Sequence, residues 1–179
     1  LFTLTIADKA FTSLMGIVVE PVTMGIVSTK FKSEGALLIT HWGMSGPATL
    51  KLSAHAARYL QEQNYRVNVA INWVNESNAN IVEEHIANII QRNPKKHIAG
   101  IAPYQLTNRM WQYLLERADI DGTKRWDELG RKGMNKLIET LTNDIHATQG
   151  KGRFKDEFVT CGGISLQSVD SSTLESKVC

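Results

Sequence analysis

One short segment of the chain holds the side chain best suited to proton transfer, next to two glycines and a proline. It reads Thr40-His41-Trp42-Gly43-Met44-Ser45-Gly46-Pro47. His41 can donate or accept a proton near neutral pH, whereas a structural histidine bonded to the backbone is an equally good interpretation. Residues 37–39 predict a buried strand before the segment, and Pro47 is typical of the first residue of a helix. A glycine turn before a helix offers free backbone N–H groups to anions and polar ligands, but such a turn more often only permits close packing.

A second glycine segment, Thr160-Cys161-Gly162-Gly163, stands between two stretches with strand character, residues 157–160 and 164–169. Paired glycines let a backbone bend sharply or approach a ligand closely, and a hairpin turn is the simpler interpretation. No basic residue adjoins Cys161 to lower the pKa of its thiol. We therefore expect Cys161 to be a small buried hydrophobic residue.

A third glycine segment, Leu129-Gly130-Arg131-Lys132-Gly133-Met134, carries two basic residues, and Lys136 follows it. A helix–hairpin–helix uses such a turn to offer N–H groups to phosphate, and Arg or Lys adds charge. Residues 83–144 also contain many carboxylates, so a solvated helix face is the alternative interpretation. We expect Trp111 and Trp126 to pack in the helical core.

Composition and motifs exclude several classes of protein. The 179 residues have a net charge of +2 and two cysteines, which predicts neither strong nucleic-acid attraction nor a disulfide framework. No dinucleotide or P-loop motif is present, Ser45 lacks the GxSxG context, and the histidines show no metal-ligand spacing. No metal site, membrane span or signal peptide is predicted, and we expect a cytoplasmic protein. The missing initiator Met suggests a piece of a longer chain.

Hydrophobic periodicity places strands at both ends of the chain and helices in the middle. Residues 1–6, 16–20, 22–29, 65–73 and 144–148 predict strands, with a hairpin-like break at residues 32–35. Helices are predicted over residues 48–63, after Asn78 or Asn80, from Pro103, and from about Lys124 to Leu141 with breaks near Gly130 and Gly133. Such segregation favours an α+β fold. We predict a β subdomain from residues 1–82 and 143–179, and a helical subdomain from residues 83–142.

Three motifs together resemble the BaiN/RdsA-type flavoproteins, a bacterial family of NAD(P)/FAD-dependent oxidoreductases. The family pattern runs approximately TH-x-G-x-SGP, then VT-x-GG-V, then V-D-x-x-T-[ML]-E-S-K. The chain matches it at residues 40–47, 159–164 and 169–177, in the same order. The resemblance implies an insert within an FAD-binding domain, formed by a β-barrel that carries an all-helical, helix–hairpin–helix-like subdomain. Activities attached to the family include steroid reduction and dihydrouridine formation in ribosomal RNA.

The resemblance implies that the parent protein binds FAD, accepts electrons from NAD(P)H, and uses this insert to cover the flavin and shape the substrate pocket. The residues expected to face the flavin are Thr40, Gly43, Ser45, Gly46, Pro47, Thr160, Gly162 and Gly163, and His41 is the candidate for proton transfer. The fragment alone is expected to bind no cofactor and to be inactive. The alternatives are an RNA-binding module that uses Arg131, Lys132 and Lys136, and a purely structural or dimerising insert.

Overall fold

The computed structural model describes residues 1–152, 165–170 and 172–177, and six antiparallel strands within these residues close into a barrel. The strands are β1 (Leu4–Ile6), β2 (Val18–Ile26), β3 (Lys32–Thr40), β4 (Gly43–Ser45), β5 (Asn68–Asn72) and β6 (Asp144–Lys151). Around the barrel they follow the order β1-β4-β3-β2-β5-β6. The predicted α+β fold, with a barrel built from both ends of the chain, is confirmed.

Alternating burial explains why these segments form a barrel. Val22, Met24 and Ile26 of β2 point inward and are at most 3% exposed, and their neighbours in sequence are more exposed. In β3, Leu37 and Ile39 are fully buried, and Leu37 lies opposite the buried Val19 of β2. The side chains of one face of each strand therefore fill the barrel, as expected for a small closed sheet.

The hairpin between β2 and β3 differs from the sequence prediction. The turn lies at residues 27–31, where Ser28 has a φ of 62° and the Thr29 hydroxyl donates to the carbonyl of Ile26. The expected break at residues 32–35 is wrong, because these residues pair with β2 from Gly25↔Lys32 to Val22↔Gly35. Polar side chains tolerate this strand position since they find partners: the Ser33 hydroxyl donates to the carbonyl of Ala48 at 2.7 Å.

Helices pack at both ends of the barrel and fill the segment between β5 and β6. They are α1 (Lys9–Thr12), α2 (Pro47–His55), α3 (Ala57–Glu62), α4 (Ala79–Arg92), α5 (Asn108–Arg117) and α6 (Gly130–Thr142). Short 3₁₀ turns lie at Ile98–Gly100, Pro103–Gln105, Trp126–Glu128 and Leu166–Ser168. The helical middle of the chain thus runs from Ala79 to Thr142, and its status as a separate subdomain stays a prediction.

The helix ends follow local side-chain chemistry. Asn78 caps α4 by accepting from the N–H of Asn80, as predicted, and Thr107 caps α5. The predicted helix from Pro103 begins only at Asn108, because Tyr104 and Gln105 have positive φ values of 52° and 57°. The helix predicted from about Lys124 is broken near Gly130, as expected, because a 3₁₀ turn at Trp126–Glu128 precedes α6. The break expected near Gly133 is wrong, since Gly133 lies inside α6. The predicted helix over residues 48–63 divides at Ala56 into α2 and α3.

The hydrophobic core is continuous between the barrel and the helices. Trp111 and Trp126 are fully buried with ring centroids 6.2 Å apart, and the Trp111 indole N–H donates to the carbonyl of Ile98. This confirms their predicted place in the helical core. On the barrel side, Trp73 and Phe11 extend the same core, so the helices are held by apolar packing as well as by the chain connections.

Candidate functional site

The segment from Thr40 to Pro47 forms a tight β-hairpin followed directly by a helix. Thr40 pairs with Gly43, and the Thr40 hydroxyl accepts from the Gly43 N–H and donates to the Gly43 carbonyl, each at 3.1 Å. His41 and Trp42 form the two-residue turn between β3 and β4. The glycine turn predicted from the sequence therefore contains a strand of its own, β4, before Gly46 caps α2.

Both glycines of the segment are required by close backbone packing. A Cβ atom on Gly43 would lie 2.2 Å from the carbonyl oxygen of Leu4, and one on Gly46 would lie 2.8 Å from that of Ala36. Their φ values of 148° and 90° are also unfavourable for other residues. The packing interpretation thus accounts for Gly43 and Gly46, whether or not a cofactor approaches them.

The start of α2 is closed by the protein itself. Ala48 and Thr49, the first residues after Pro47, are fully buried, and the Thr49 hydroxyl donates to the carbonyl of Ser45. Pro47 is exposed, and Ser45 and Gly46 are half-buried. The Ser45 hydroxyl has no hydrogen-bond partner among residues 1–152, 165–170 and 172–177. A ligand at this helix start would therefore meet Ser45, Gly46 and Pro47.

The two halves of the segment lie at opposite ends of β1. In the antiparallel pair of β1 and β4, Leu4 lies opposite Met44 and Thr5 opposite Gly43, so Ser45 continues toward the first residues of the chain. The Ile6 N–H donates to the carbonyl of Trp42 at 2.9 Å, which places the His41 turn at the other end. At about 3.4 Å per residue, the turn and Ser45 are roughly 10 Å apart. His41 is exposed, and its ring meets that of Trp42 edge-on with centroids 4.4 Å apart.

The start of β1 and the end of β6 lie at one end of the barrel. We call this end the terminal face, and it consists of residues 1–3, residues 45–47, Tyr65 and residues 150–152. The Gly152 N–H donates to the carbonyl of Thr3 at 2.8 Å, and the Phe2 N–H donates to the hydroxyl of Ser53 at 2.8 Å. The start of β1 and the end of β6 therefore lie side by side.

Aromatic rings and a cation lie together on the terminal face. The rings of Phe2 and Tyr65 meet edge-on at 5.4 Å, and the Lys151 ammonium lies 5.3 Å and 5.7 Å from their centroids. Such cation–π contacts stabilise an aromatic cluster that is only partly buried. The sequence alone did not indicate this cluster, because Phe2, Tyr65 and Lys151 are far apart in the chain.

The second predicted glycine segment lies outside the described residues. Thr160, Cys161, Gly162 and Gly163 all belong to it, and their expected contact with the flavin stays a prediction.

The predicted phosphate-binding residues near α6 occur on a surface of mixed charge. Arg131 forms an ion pair with Glu83, and the Lys136 ammonium lies 2.9 Å from the Asp119 carboxylate. The hydrogen bond from Lys136 and the charges of Lys136 and Lys132 hold the pKa of Asp119 below its usual range. Lys132 is exposed and forms no ion pair within the described part of the chain. Two of the three predicted residues therefore already have acidic partners.

A buried carboxylate that the sequence did not single out joins the barrel to the helices. Asp144, the first residue of β6, is 4% exposed. Its Oδ2 accepts from the Trp73 indole N–H at 3.0 Å and lies 2.7 Å from His146 Nε2, and Arg117 reaches its Oδ1. Burial raises the pKa of Asp144, but hydrogen bonds and charges from His146 and Arg117 outweigh it, so the pKa lies below its usual range.

Neither a metal centre nor a membrane helix is seen in the described residues. Among residues 1–152, 165–170 and 172–177, no group of three or more His, Cys, Asp or Glu side chains could hold a metal ion. In the same ranges, no helix is long and apolar enough to span a membrane.

The fold and its motifs agree with comparisons to known proteins. Residues 1–159 match the family described as "HI0933-like protein barrel and H2TH domain". The chain is 27% identical over 179 residues to a ribosomal RNA dihydrouridine synthase of Haemophilus influenzae, covering 98% of this chain and 40% of that protein. It is 26% identical over 164 residues to the Escherichia coli protein of the same name, covering 92% of this chain and 38% of that protein. The chain thus spans about two fifths of the length of these relatives. Because the family match extends over most of the chain, this protein belongs to the HI0933-like barrel and H2TH domain family.

Proposed function

We propose that this chain is the insert domain of an FAD-dependent oxidoreductase, in which the barrel covers the flavin and shapes the substrate pocket. One observation carries the proposal: the start of β1 and the end of β6 lie side by side, joined by the hydrogen bond between Gly152 and Thr3. Adjacent entry and exit points let a unit be inserted into another domain without disturbing either fold. The family membership and the long unmatched part of the relatives agree with such an arrangement.

In this proposal the terminal face points toward the FAD-binding part of the same polypeptide. It holds Ser45, Gly46 and Pro47, three of the residues expected to face the flavin. The half-buried Ser45 hydroxyl has no partner in the described chain, so it fits a polar edge of a bound cofactor. Thr40 and Gly43 act indirectly, because they close the hairpin that positions β4. FAD would supply the electron chemistry, and this chain would orient substrate and exclude water.

His41 is proposed as the group that transfers a proton. It is exposed and lies roughly 10 Å from Ser45 along β4, so this role requires the substrate to extend along the barrel wall. NAD(P)H is the proposed electron donor, and the cytoplasm is the proposed location. The isolated chain is expected to bind no FAD, since it lacks a nucleotide-binding glycine motif.

FAD retention in the full-length protein tests the orientation of the barrel. Pro47→Arg places a long cation on the exposed start of α2, and we expect it to lower the FAD content of the purified protein several-fold. Gln112→Arg on the exposed side of α5 is the matched control and is expected to retain full FAD content. Equal FAD content in both variants, with both folded, would contradict the proposed orientation.

A second function is proposed for the helical part: binding of RNA. The observation that favours it is that both similar proteins are named ribosomal RNA dihydrouridine synthases, and the matched family contains an H2TH domain. Arg131, Lys132 and Lys136 are the contacts proposed from the sequence, with Arg131 and Lys136 sharing their charge with acidic partners. The two functions are compatible if the full-length protein reduces a base in RNA.

A further inference from the structure

Two turns of the helical part have the same local structure and pair with each other. Residues 93–100 and residues 121–128 each run from a turn through a bridging residue into a 3₁₀ turn. His97 and Arg125 form an antiparallel bridge, the Ile98 N–H donates to the carbonyl of Lys124 at 2.9 Å, and the Trp126 N–H donates to that of Lys96 at 3.0 Å. The backbones of the two turns are therefore held side by side.

The first of these turns lies in an acid-free part of the sequence. Residues 85–115 contain no Asp or Glu. Within this stretch Arg92 is the last residue of α4, and Lys95 and Lys96 lie in the turn that follows. All three side chains are exposed. The bridge then brings Lys124 and Arg125 of the second turn, also exposed, next to this basic stretch.

These five cations differ from Arg131 and Lys136 because acidic side chains do not pair with them. Within the described ranges, none of Arg92, Lys95, Lys96, Lys124 and Arg125 forms an ion pair. In the second turn, Asp121 accepts from the N–H and hydroxyl of Thr123, and Glu128 accepts from the backbone N–H of Arg125. These two carboxylates are thus held against the backbone of their own turn.

We propose that this paired-turn face, formed by Arg92, Lys95, Lys96, Lys124 and Arg125, binds the phosphate backbone of RNA. The inference rests on the proposed RNA-binding function and assigns it to a surface other than the start of α6. Exposed, unpaired Lys and Arg side chains neutralise phosphates without reading sequence. The two large apolar residues of the turns, Ile98 and Trp126, are fully buried. The face therefore lacks the apolar centre of a protein–protein interface, which favours a phosphate backbone over an acidic protein.

The test is the salt dependence of RNA binding by the full-length protein, measured by fluorescence anisotropy with a labelled RNA hairpin. We expect the triple variant Lys95→Gln, Lys96→Gln, Lys124→Gln to bind at least tenfold more weakly at low salt. The slope of log K against log salt concentration should fall by about 2 to 3, since each lost phosphate contact removes about 0.7 to 0.9. The matched control removes three exposed cations of the barrel and helix surface, Lys9→Gln, Lys30→Gln and Arg58→Gln, and should keep the slope.

Each outcome separates this inference from the function on which it rests. If the unmodified protein binds the hairpin and the paired-turn variant keeps the slope while remaining folded by circular dichroism, the proposed surface is wrong and RNA binding stands. If the unmodified protein binds no RNA even at low salt, the RNA-binding function itself is wrong. If polyglutamate displaces the hairpin as well as unlabelled RNA does at equal charge, the face is a general anion surface and the proposal fails.

Discussion

Arg117 of α5 and Asp144 of β6 form an ion pair with Arg117 Nη2 2.6 Å from Asp144 Oδ1. The Asp144 side chain is 2% exposed and that of Arg117 is 35% exposed, so the carboxylate is buried and the guanidinium lies at the surface. Arg117 also donates to the carbonyl of Ile145 at 3.0 Å. Because the other oxygen of Asp144 binds Trp73 and His146, one carboxylate connects a helix, two strands and the core.

Removing this carboxylate should strongly destabilise the fold. Asp144→Ala leaves the buried indole N–H of Trp73 and the buried ring nitrogen of His146 without their partner. Each buried polar group left unsatisfied costs about 1–3 kcal/mol, which gives about 3–5 kcal/mol for the two together with the lost hydrogen bonds to Arg117. We expect the free energy of unfolding to fall by about that amount in urea titrations. Asp119→Ala, which removes the exposed partner of Lys136, is the control and should change stability far less. Similar losses of unfolding free energy in Asp144→Ala and Asp119→Ala would contradict the claim that the buried carboxylate stabilises the fold more than the exposed one.

The stability that Asp144 supplies should disappear in acid. Its pKa is lower in the folded than in the unfolded protein, where the usual value is about 3.9. The unfolded state therefore binds the proton more readily, and the contribution is complete above that value and lost as the pH falls through the folded pKa. The difference in unfolding free energy between the wild type and Asp144→Asn should therefore shrink as the pH falls below about 4. A difference that stays constant to pH 2 would refute this linkage.

Substitution of Tyr113 should raise the free energy of unfolding, whereas substitution of Asp144 should lower it. Its hydroxyl is buried and finds no hydrogen-bond partner among the described residues, and burial together with the charge of Asp144 raises its pKa. An unsatisfied buried hydroxyl costs about 1–3 kcal/mol. Tyr113→Phe should thus raise the free energy of unfolding by about 1 kcal/mol, measured by urea titration. Tyr59→Phe at a half-buried site is the control, and a clear loss of stability in Tyr113→Phe would mean that its hydroxyl has a partner.

Gly43 should be among the positions that tolerate substitution least. In Gly43→Ala the new Cβ would overlap the carbonyl of Leu4, at 2.2 Å, and the backbone has a φ of 148°. We expect a loss of about 3 kcal/mol or more in unfolding free energy, from overpacking and backbone strain together. At Gly100 a new Cβ would meet nothing within 4 Å, so Gly100→Ala is the matched control and should be nearly neutral. Equal effects at both positions would exclude the close approach of β4 to β1.

Periodicity predicted the strands at both ends of the chain and the helical middle, because the buried face of each element shows in the local sequence, whereas the barrel was implied by the family resemblance. Val69 and Ile71 alternate along β5, Trp73 follows the strand, and all three are buried, as the sequence indicated. The expected break at residues 32–35 was wrong, because contacts with distant parts of the same chain stabilise a strand there despite its polar composition. The Glu34 carboxylate accepts from the Asn75 amide at 3.0 Å, and such a partner is invisible in the local sequence.

The site was less predictable than the fold, because long-range pairing creates it. The sequence placed Thr40 to Pro47 at one site, whereas antiparallel pairing with β1 sends the His41 turn and Ser45 to opposite ends of the strand. The basic residues near α6 also form a cluster that is visible in the sequence. Their ion pairs with Glu83 and Asp119 could not be predicted, because these pairs depend on how α6 packs against its neighbours. The paired turns could not be recognised, since they repeat a backbone conformation and not a sequence.

The visible absorption spectrum of the purified full-length protein tests the central claim most directly. We expect the two absorption bands of a bound flavin in the full-length protein and a colourless isolated chain, because in the proposed arrangement the barrel covers the cofactor but does not hold the nucleotide. Addition of NAD(P)H should then bleach the flavin bands. A colourless full-length protein that cannot be reconstituted with FAD would contradict the assignment of this chain to an FAD-dependent oxidoreductase.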